Sequence, residues 1–208
     1  PAAEPPPAAE PPPAAEPAPA AGAAPTIAKI DASRFRIGEI EVNHQTRMVR
    51  FPAAVNMTEG QLEFAVVHEN GKLHESLFST RITPSHLNIA FKLLRYQVSA
   101  ELFPLMDGEG HPTGFFPRVD DATKAAARVA IRVIWKDGNT EKTTTLNEWI
   151  GNARTGEAMP PGPWVYGGSI IAEGHFLADV TGDMVAIFTS PCALLNYPGR
   201  DSTDDDAW

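Results

Sequence analysis

Cysteine, long apolar runs and clustered basic residues are all scarce in this 208-residue chain, and each scarcity excludes a class of protein. Cys192 is the only cysteine, so the chain has no intrachain disulfide, no Cys-x-x-Cys zinc site and no cysteine-ligated iron–sulfur cluster. No apolar run reaches the roughly 18 residues of a transmembrane helix, so no transmembrane segment is predicted. With 17 basic against 26 acidic residues, the chain lacks the footprint of a nucleic-acid-binding protein.

Residues 1–25 are rich in proline and contain no large apolar side chain. They carry ten of the chain's 20 prolines in an approximate Pro-Ala-Ala-Glu-Pro-Pro repeat. Such a segment cannot bury enough surface to offset its ordering entropy, and proline favours the extended polyproline II conformation. We expect a stiff spacer that reaches roughly 75 Å at about 3.1 Å per residue. A signal peptide removed just before this spacer would place the protein in a bacterial cell envelope.

Residues 26–208 are predicted to form a single α+β domain with an acidic tail at residues 201–208. We expect mainly an antiparallel β sheet or sandwich, one amphipathic helix and one short C-terminal helix. Asn70-Gly71 and Asp137-Gly138-Asn139 each separate two apolar runs and predict hairpins. Thr83-Pro84 predicts the start of the main helix, whose apolar face is Leu87, Ala90, Phe91 and Leu94. The remaining elements are predicted as strands at 34–51, 164–172, 176–180 and 184–188, an irregular stretch at 99–123, and a short helix at 190–195.

Two stretches of the chain resemble the YdjY-type domain of bacterial secreted and lipoprotein-like proteins. The first runs from Phe51-Pro52-Ala53-Ala54 through Gly71-Lys72-Leu73-His74-Glu75 to the Pro84 helix, and the second from Met159-Pro160-Pro161-Gly162-Pro163-Trp164 to Ala178-Asp179. The resemblance covers nearly all of residues 37–208. It implies a location in the cell envelope but no activity or catalytic residue. Some relatives pair this domain with a cysteine-rich iron–sulfur segment, whereas this chain has only Cys192.

His74-Glu75-Ser76 is the sequence's weak candidate for a catalytic site. In a strand His74 and Ser76 share a face while Glu75 points the other way, and no Gly-x-Ser-x-Gly elbow exposes a nucleophile. A metal-assisted or His-based hydrolase would need a distant carboxylate, and Asp179 is the choice. The alternative interpretation is a strand whose polar groups bind nearby backbone.

Metal binding has two weak candidate sites in the sequence. His68 and His74 would approach each other across the Asn70-Gly71 hairpin, with His86 near them. Asp179 and Asp183 bracket a glycine turn that could hold calcium, although the EF-hand pattern is absent. Both patterns also fit ordinary turn and surface residues, so the sequence predicts no metal and no cofactor.

Partner contacts are predicted for the tryptophans and for the long irregular stretch. Trp164 follows a rigid proline segment and Trp208 lies in the acidic tail, whereas His111, Phe115 and Phe116 belong to the 99–123 loop. The first hypothesis is a non-enzymatic module with protein partners in the cell envelope. Its location would be periplasmic or extracytoplasmic, with membrane tethering left open. The alternatives are the envelope hydrolase and a small-ligand or glycan binder that uses the tryptophans.

Overall fold

The computed structural model describes residues 26–199, 201–204 and 206–208, so the predicted spacer at 1–25 lies outside the described residues. The strands are β1 (Ile27–Lys29), β2 (Arg34–Ile37), β3 (Ile40–Asn43), β4 (Met48–Arg50), β5 (Ala54–Val55), β6 (Phe64–His68), β7 (Ser76–Thr80), β8 (Arg128–Val129), β9 (Arg132–Asp137), β10 (Thr140–Thr145), β11 (Trp164–Tyr166), β12 (Ile171–Ala172), β13 (His175–Phe176), β14 (Asp183–Ala186) and β15 (Leu195–Asn196). The helices are α1 (Pro84–Leu93), α2 (Asp121–Ala126) and α3 (Leu177–Thr181), with 3₁₀ turns at Leu73–Glu75 and Leu146–Trp149. In this described part of the chain no helix has the length and apolar character needed to cross a membrane.

The N-terminal strands form a four-stranded antiparallel meander in the order β1-β2-β3-β4. Ile37, Ile40 and Val42 are buried, and their polar neighbours point outwards, which is the alternation that predicted these strands. Gly38 adopts a φ of +57° at the β2–β3 turn, a conformation that glycine adopts without steric cost. Strand structure at 34–51 is confirmed, but the two strands expected there are three, because the turn at Gly38 divides the first into β2 and β3.

The central sheet has seven strands in the order β5-β7-β6-β14-β15-β11-β8, and two of its strand pairs are parallel. The predicted Asn70-Gly71 hairpin is wrong, because β6 and β7 run parallel with Phe64 opposite Ser76 and His68 opposite Thr80. Residues 69–75, which include the 3₁₀ turn at Leu73–Glu75, return the chain to the end of the sheet where β6 begins, and β7 starts there as well. The continuous burial of β6 favours this arrangement, since strands covered on both faces are typical of parallel pairing.

Helix α1 confirms the prediction from Thr83-Pro84. Pro84 occupies the first turn, where its missing N–H removes no helical hydrogen bond. Leu87, Ala90, Phe91 and Leu94 are buried against the sheet. The Tyr166 hydroxyl donates a hydrogen bond to the side-chain Oδ1 of Asn88, which links the helix to β11.

The C-terminal half confirms one predicted hairpin and corrects two other elements. Strands β9 and β10 pair around Gly138, as expected. The residues expected to form a strand at 176–180 instead form α3, which ends at Gly182 with a φ of +78°. The expected short helix at 190–195 is a turn, because the Ser190 amide binds the Asn196 side chain and the chain enters β15 at Leu195.

The mainly antiparallel sheets and the three helices of the described residues confirm the α+β class. One hydrophobic cluster joins the meander, the central sheet and α1, from Ile37 to Trp208. Ala207 and Trp208 therefore belong to the core, whereas Thr203 and Asp206 of the predicted acidic tail are exposed.

Candidate functional site

The residues of the candidate hydrolase site make separate contacts in the structure. The His74 side chain is 81% exposed, with Nε2 3.6 Å from Glu75 Oε2. Ser76 is buried, and its hydroxyl donates to the backbone carbonyl of Lys72 at 2.5 Å. Asp179 Oδ1 accepts a hydrogen bond of 2.7 Å from the Ser85 amide at the start of α1. Ser76 and Asp179 are therefore each engaged with a different backbone group, and no hydrogen bond among the described residues joins either of them to His74.

Asp183 is the most deeply buried carboxylate near this region, at 3% exposure on β14. Its Oδ2 accepts a long hydrogen bond of 3.5 Å from Ser190, and its Oδ1 has no hydrogen-bond partner among the described residues. Burial raises the pKa of Asp183, and Lys72 and Ser190 oppose this shift with smaller effects. Burial also raises the pKa of the Cys192 thiol, and the neighbouring Asp183 carboxylate raises it further. A thiol held protonated in this way is a poor nucleophile.

The candidate metal ligands are also separated. Asp179 binds the start of α1, whereas Asp183 is buried in the sheet, so the two do not face a common ion. His68 lies opposite Thr80 in the parallel pair, and not opposite His74. Within residues 26–199, 201–204 and 206–208, no group of three or more His, Cys, Asp or Glu residues could hold a metal ion.

Both tryptophans predicted to contact a partner are buried in the protein's own core. Trp164 is fully buried, and its indole N–H donates to Asn147 Oδ1 at 3.2 Å. Trp208 is 4% exposed and stacks edge-on against Tyr197 with ring centroids 5.7 Å apart. Neither side chain offers a surface to a partner, which corrects the prediction. The signal for burial in the sequence is the apolar run Trp164-Val165-Tyr166, which is typical of a covered strand.

The long irregular stretch carries an arm of residues 103–116 with exposed apolar side chains. The Leu105 amide donates to the Phe115 carbonyl at 2.7 Å, and the Thr113 amide donates to the Leu105 carbonyl at 2.8 Å. These hydrogen bonds pair the two sides of the arm. Phe115 is 75% exposed and Phe116 55% exposed, and Leu105 and Met106 beside them are also exposed. The predicted contact residues Phe115 and Phe116 are therefore accessible.

The tip of the arm is polar and mostly acidic. Asp107 Oδ1 accepts hydrogen bonds from the Glu109 and His111 amides at 2.9 and 2.8 Å, and these bonds lower the pKa of Asp107. His111 Nδ1 lies 3.7 Å from a carboxylate oxygen of Asp107 and 3.7 Å from one of Glu109. The third predicted contact residue, His111, is thus exposed at the tip.

Exposed apolar residues continue from the base of the arm onto the neighbouring loop. Phe103 packs against Gly167, and a side chain at Gly168 would collide with Val98. Ile170 and Ile171 follow directly on the chain, and Ile171 is 73% exposed. We call the following set the apolar face: Val98, Leu105, Met106, Phe115, Phe116, Ile170 and Ile171. Sequence analysis did not name five of these residues, although Leu105-Met106 ahead of a glycine-rich turn was a usable signal.

A cavity of about 520 Å³ lies beside Trp208, away from the arm. Leu62, Leu77 and Trp208 supply its apolar lining, and Glu59 and Asp206 lie at its edge. We call it the Trp208 cavity. Its volume is within the range of small-ligand sites.

Comparison of the chain with protein-family models, with curated proteins and with solved structures finds no significant match. The functional interpretation therefore depends on the geometry of the chain itself.

Proposed function

We propose that the protein is a non-enzymatic interaction module, a subunit or accessory protein of a larger assembly in the bacterial cell envelope. The apolar face is the observation that supports this proposal. Soluble monomers rarely expose contiguous large apolar patches, and such patches mark interaction surfaces. Aromatic residues such as Phe115 and Phe116 are also enriched at interface centres.

The shape of the arm supports a protein partner. Its backbone hydrogen bonds fix the position of Phe115 relative to Leu105 before any partner binds. A preformed contact surface loses less conformational entropy on association than a flexible one. The acidic tip at Asp107 and Glu109 adds a charged rim beside the apolar residues, which favours a partner with basic groups around an apolar groove.

The envelope location in this proposal comes from the sequence. The proline-rich segment 1–25 has the composition of a stiff spacer, and the YdjY-type resemblance implies secretion. We propose that this spacer holds the domain away from its point of attachment. The exposed His74 side chain and the engagement of Asp179 by the Ser85 amide give the hydrolase alternative no support.

The test is isolation of the tagged full chain from its own cell envelope in mild detergent, followed by mass spectrometry of what co-purifies in stoichiometric amount. We expect a defined complex with the wild type and its loss with the double variant Phe115→Ser/Phe116→Ser. The matched control Val55→Ser/Ile134→Ser removes two exposed apolar residues outside the apolar face and should keep the complex. His74→Ala should also keep both the complex and the activity of the assembly.

Two results would overturn the proposal. One is recovery of the wild-type protein only as a lone monomer, and the other is retention of the partner by the Phe115→Ser/Phe116→Ser variant to the same extent as by the control. Thermal unfolding of all variants checks their fold, and we expect little change because the substituted side chains are exposed.

A further inference from the structure

We propose that the Trp208 cavity binds a small organic cation with an apolar body. This site is separate from the apolar face, and the inference does not depend on the proposed interaction function. Its first support is the construction of the cavity. The Leu62 amide donates to the Trp208 carbonyl at 2.9 Å, and the Ala153 amide donates to the Ala207 carbonyl at 2.9 Å. These bonds hold both walls to the C-terminal segment, so the cavity is largely preformed.

The lining of the cavity requires an apolar ligand body. Leu77 and Trp208 are almost fully buried, and Met57 and Leu62 are half-buried beside them. An apolar group that enters the cavity removes its own surface and that of these side chains from water. A fully polar ligand would leave the hydrogen-bonding groups that face these side chains unpaired.

The charges around the cavity select a cation. Glu59 and Asp206 line it, and among the described residues no Lys, Arg or His belongs to its lining. Gln61 Nε2 donates a long hydrogen bond of 3.4 Å to Asp206 Oδ1. The neighbouring base, Arg154, forms two hydrogen bonds of 2.5 and 2.9 Å with Asp204 and interacts more weakly with Asp206. Two carboxylates without a basic side chain in the described lining favour a cation over an anion of similar size.

Trp208 provides a reporter for this site. Its side chain is 4% exposed, and its indole Nε1 has no hydrogen-bond partner within the described residues. An ammonium group donates hydrogen bonds and does not accept them, so this enclosed donor plays no part in selecting a cation. The same indole also reports on binding, because its resonance and fluorescence respond to changes next to the ring.

The experiment compares three probes of matched size with the full chain at low ionic strength: phenethylamine, 2-phenylethanol and 3-phenylpropionate. Titration is followed by the Trp208 indole N–H resonance in nitrogen–proton correlation spectra. We expect phenethylamine to bind with a dissociation constant on the order of 1 mM, as small fragments do. The alcohol should bind more weakly, and the carboxylate should not bind.

Two variants locate the site. Gly151 lines the cavity, has no positive φ, and a Cβ added there meets no atom within 4 Å, so Gly151→Leu should fold and occlude the site. Gly162 has the same open surroundings outside the cavity, and Gly162→Leu is the matched control. Glu59→Gln should weaken phenethylamine about two- to fivefold, as expected for an exposed ion pair, whereas the remote Glu141→Gln should not.

Equal binding of the amine and the carboxylate would overturn the proposal. So would undiminished binding of phenethylamine to Gly151→Leu, since that result would place the amine elsewhere on the protein.

Discussion

Asp183 shows how a single residue can couple the stability of this fold to pH. Its carboxylate is buried with one oxygen unpaired, and burial raises its pKa above the ordinary value of 3.8. Between 3.8 and the raised value, the folded state binds more protons than the unfolded state. The contribution of Asp183 to the free energy of unfolding is therefore fully present below pH 3.8, and it is lost as the pH rises through the raised pKa.

Replacing the carboxylate with an amide should remove this dependence. We expect Asp183→Asn to be about 1–2 kcal/mol more stable than the wild type at pH 7, since a buried ionised group with unmet hydrogen bonds is costly. Urea unfolding at pH 4 and pH 7 measures both effects, and Asp137→Asn on the exposed β9–β10 hairpin is the control. A variant that is less stable at pH 7 and keeps the wild-type pH slope would contradict this account.

Trp164 was predicted to contact a partner but is buried in the core, and these two roles predict different effects of substitution. Trp164→Phe removes the donor to Asn147 and part of a fully buried ring. We expect a loss of about 2–4 kcal/mol in the free energy of unfolding, with the envelope complex retained. Trp135→Phe, a half-buried tryptophan in edge contact with Trp149, should cost less. Loss of the complex without loss of stability would restore Trp164 as a contact residue.

The local order of the arm should depend on the side chain of Asp107. Asp107 binds the amides of Glu109 and His111, so Asp107→Ala should speed hydrogen exchange of both amides about tenfold without changing global stability. Asp107→Asn keeps an accepting oxygen and should restore much of the protection. In the wild type the lowered pKa of Asp107 means that this order persists above pH 3.8 and is lost as the pH falls through the lowered value. Unchanged exchange in Asp107→Ala would show that the arm is held by its backbone pairing alone.

At the level of elements, sequence patterns correctly predicted several features that are set by residues close together in the sequence. The alternation at Ile37, Ile40 and Val42, the Thr83-Pro84 helix start and the Gly138 hairpin are all confirmed. The Asn70-Gly71 hairpin failed because the pairing of β6 with β7 is decided by burial on both faces, which a turn motif does not record. The strand expected at 176–180 failed because a short apolar run fits a strand and a helix equally well.

The residues of the candidate site also include some that the sequence could predict and others that it could not. Exposure of Phe115 and Phe116 could be predicted, because they follow glycine-rich turns in a long loop. Ile170 and Ile171 could not be assigned to the same surface, since only the packing of Val98 against Gly168 brings them beside the base of the arm. The Trp208 cavity requires residues from four distant segments, so no local pattern indicates it.

For the whole molecule, the two ends of the chain should contribute unequally to stability. Deletion of residues 206–208 removes Trp208 from Tyr197 and breaks its hydrogen bond with Leu62, and we expect a loss of about 3–5 kcal/mol. Deletion of residues 1–25 should leave the free energy of unfolding unchanged, because that composition cannot form a core. Chemical denaturation of the two truncated chains and the full chain provides the comparison. Equal effects of the two deletions would contradict the prediction.

The burial of Trp208 in the same cluster as Ile37 also determines when the chain can fold during its own synthesis. A nascent chain emerging from the ribosome can form the β1–β4 meander early, because its contacts are local. The shared core, however, stays open until Trp208 has left the exit tunnel. The long-range contacts between Trp208 and the first half of the chain therefore set how late this core can close.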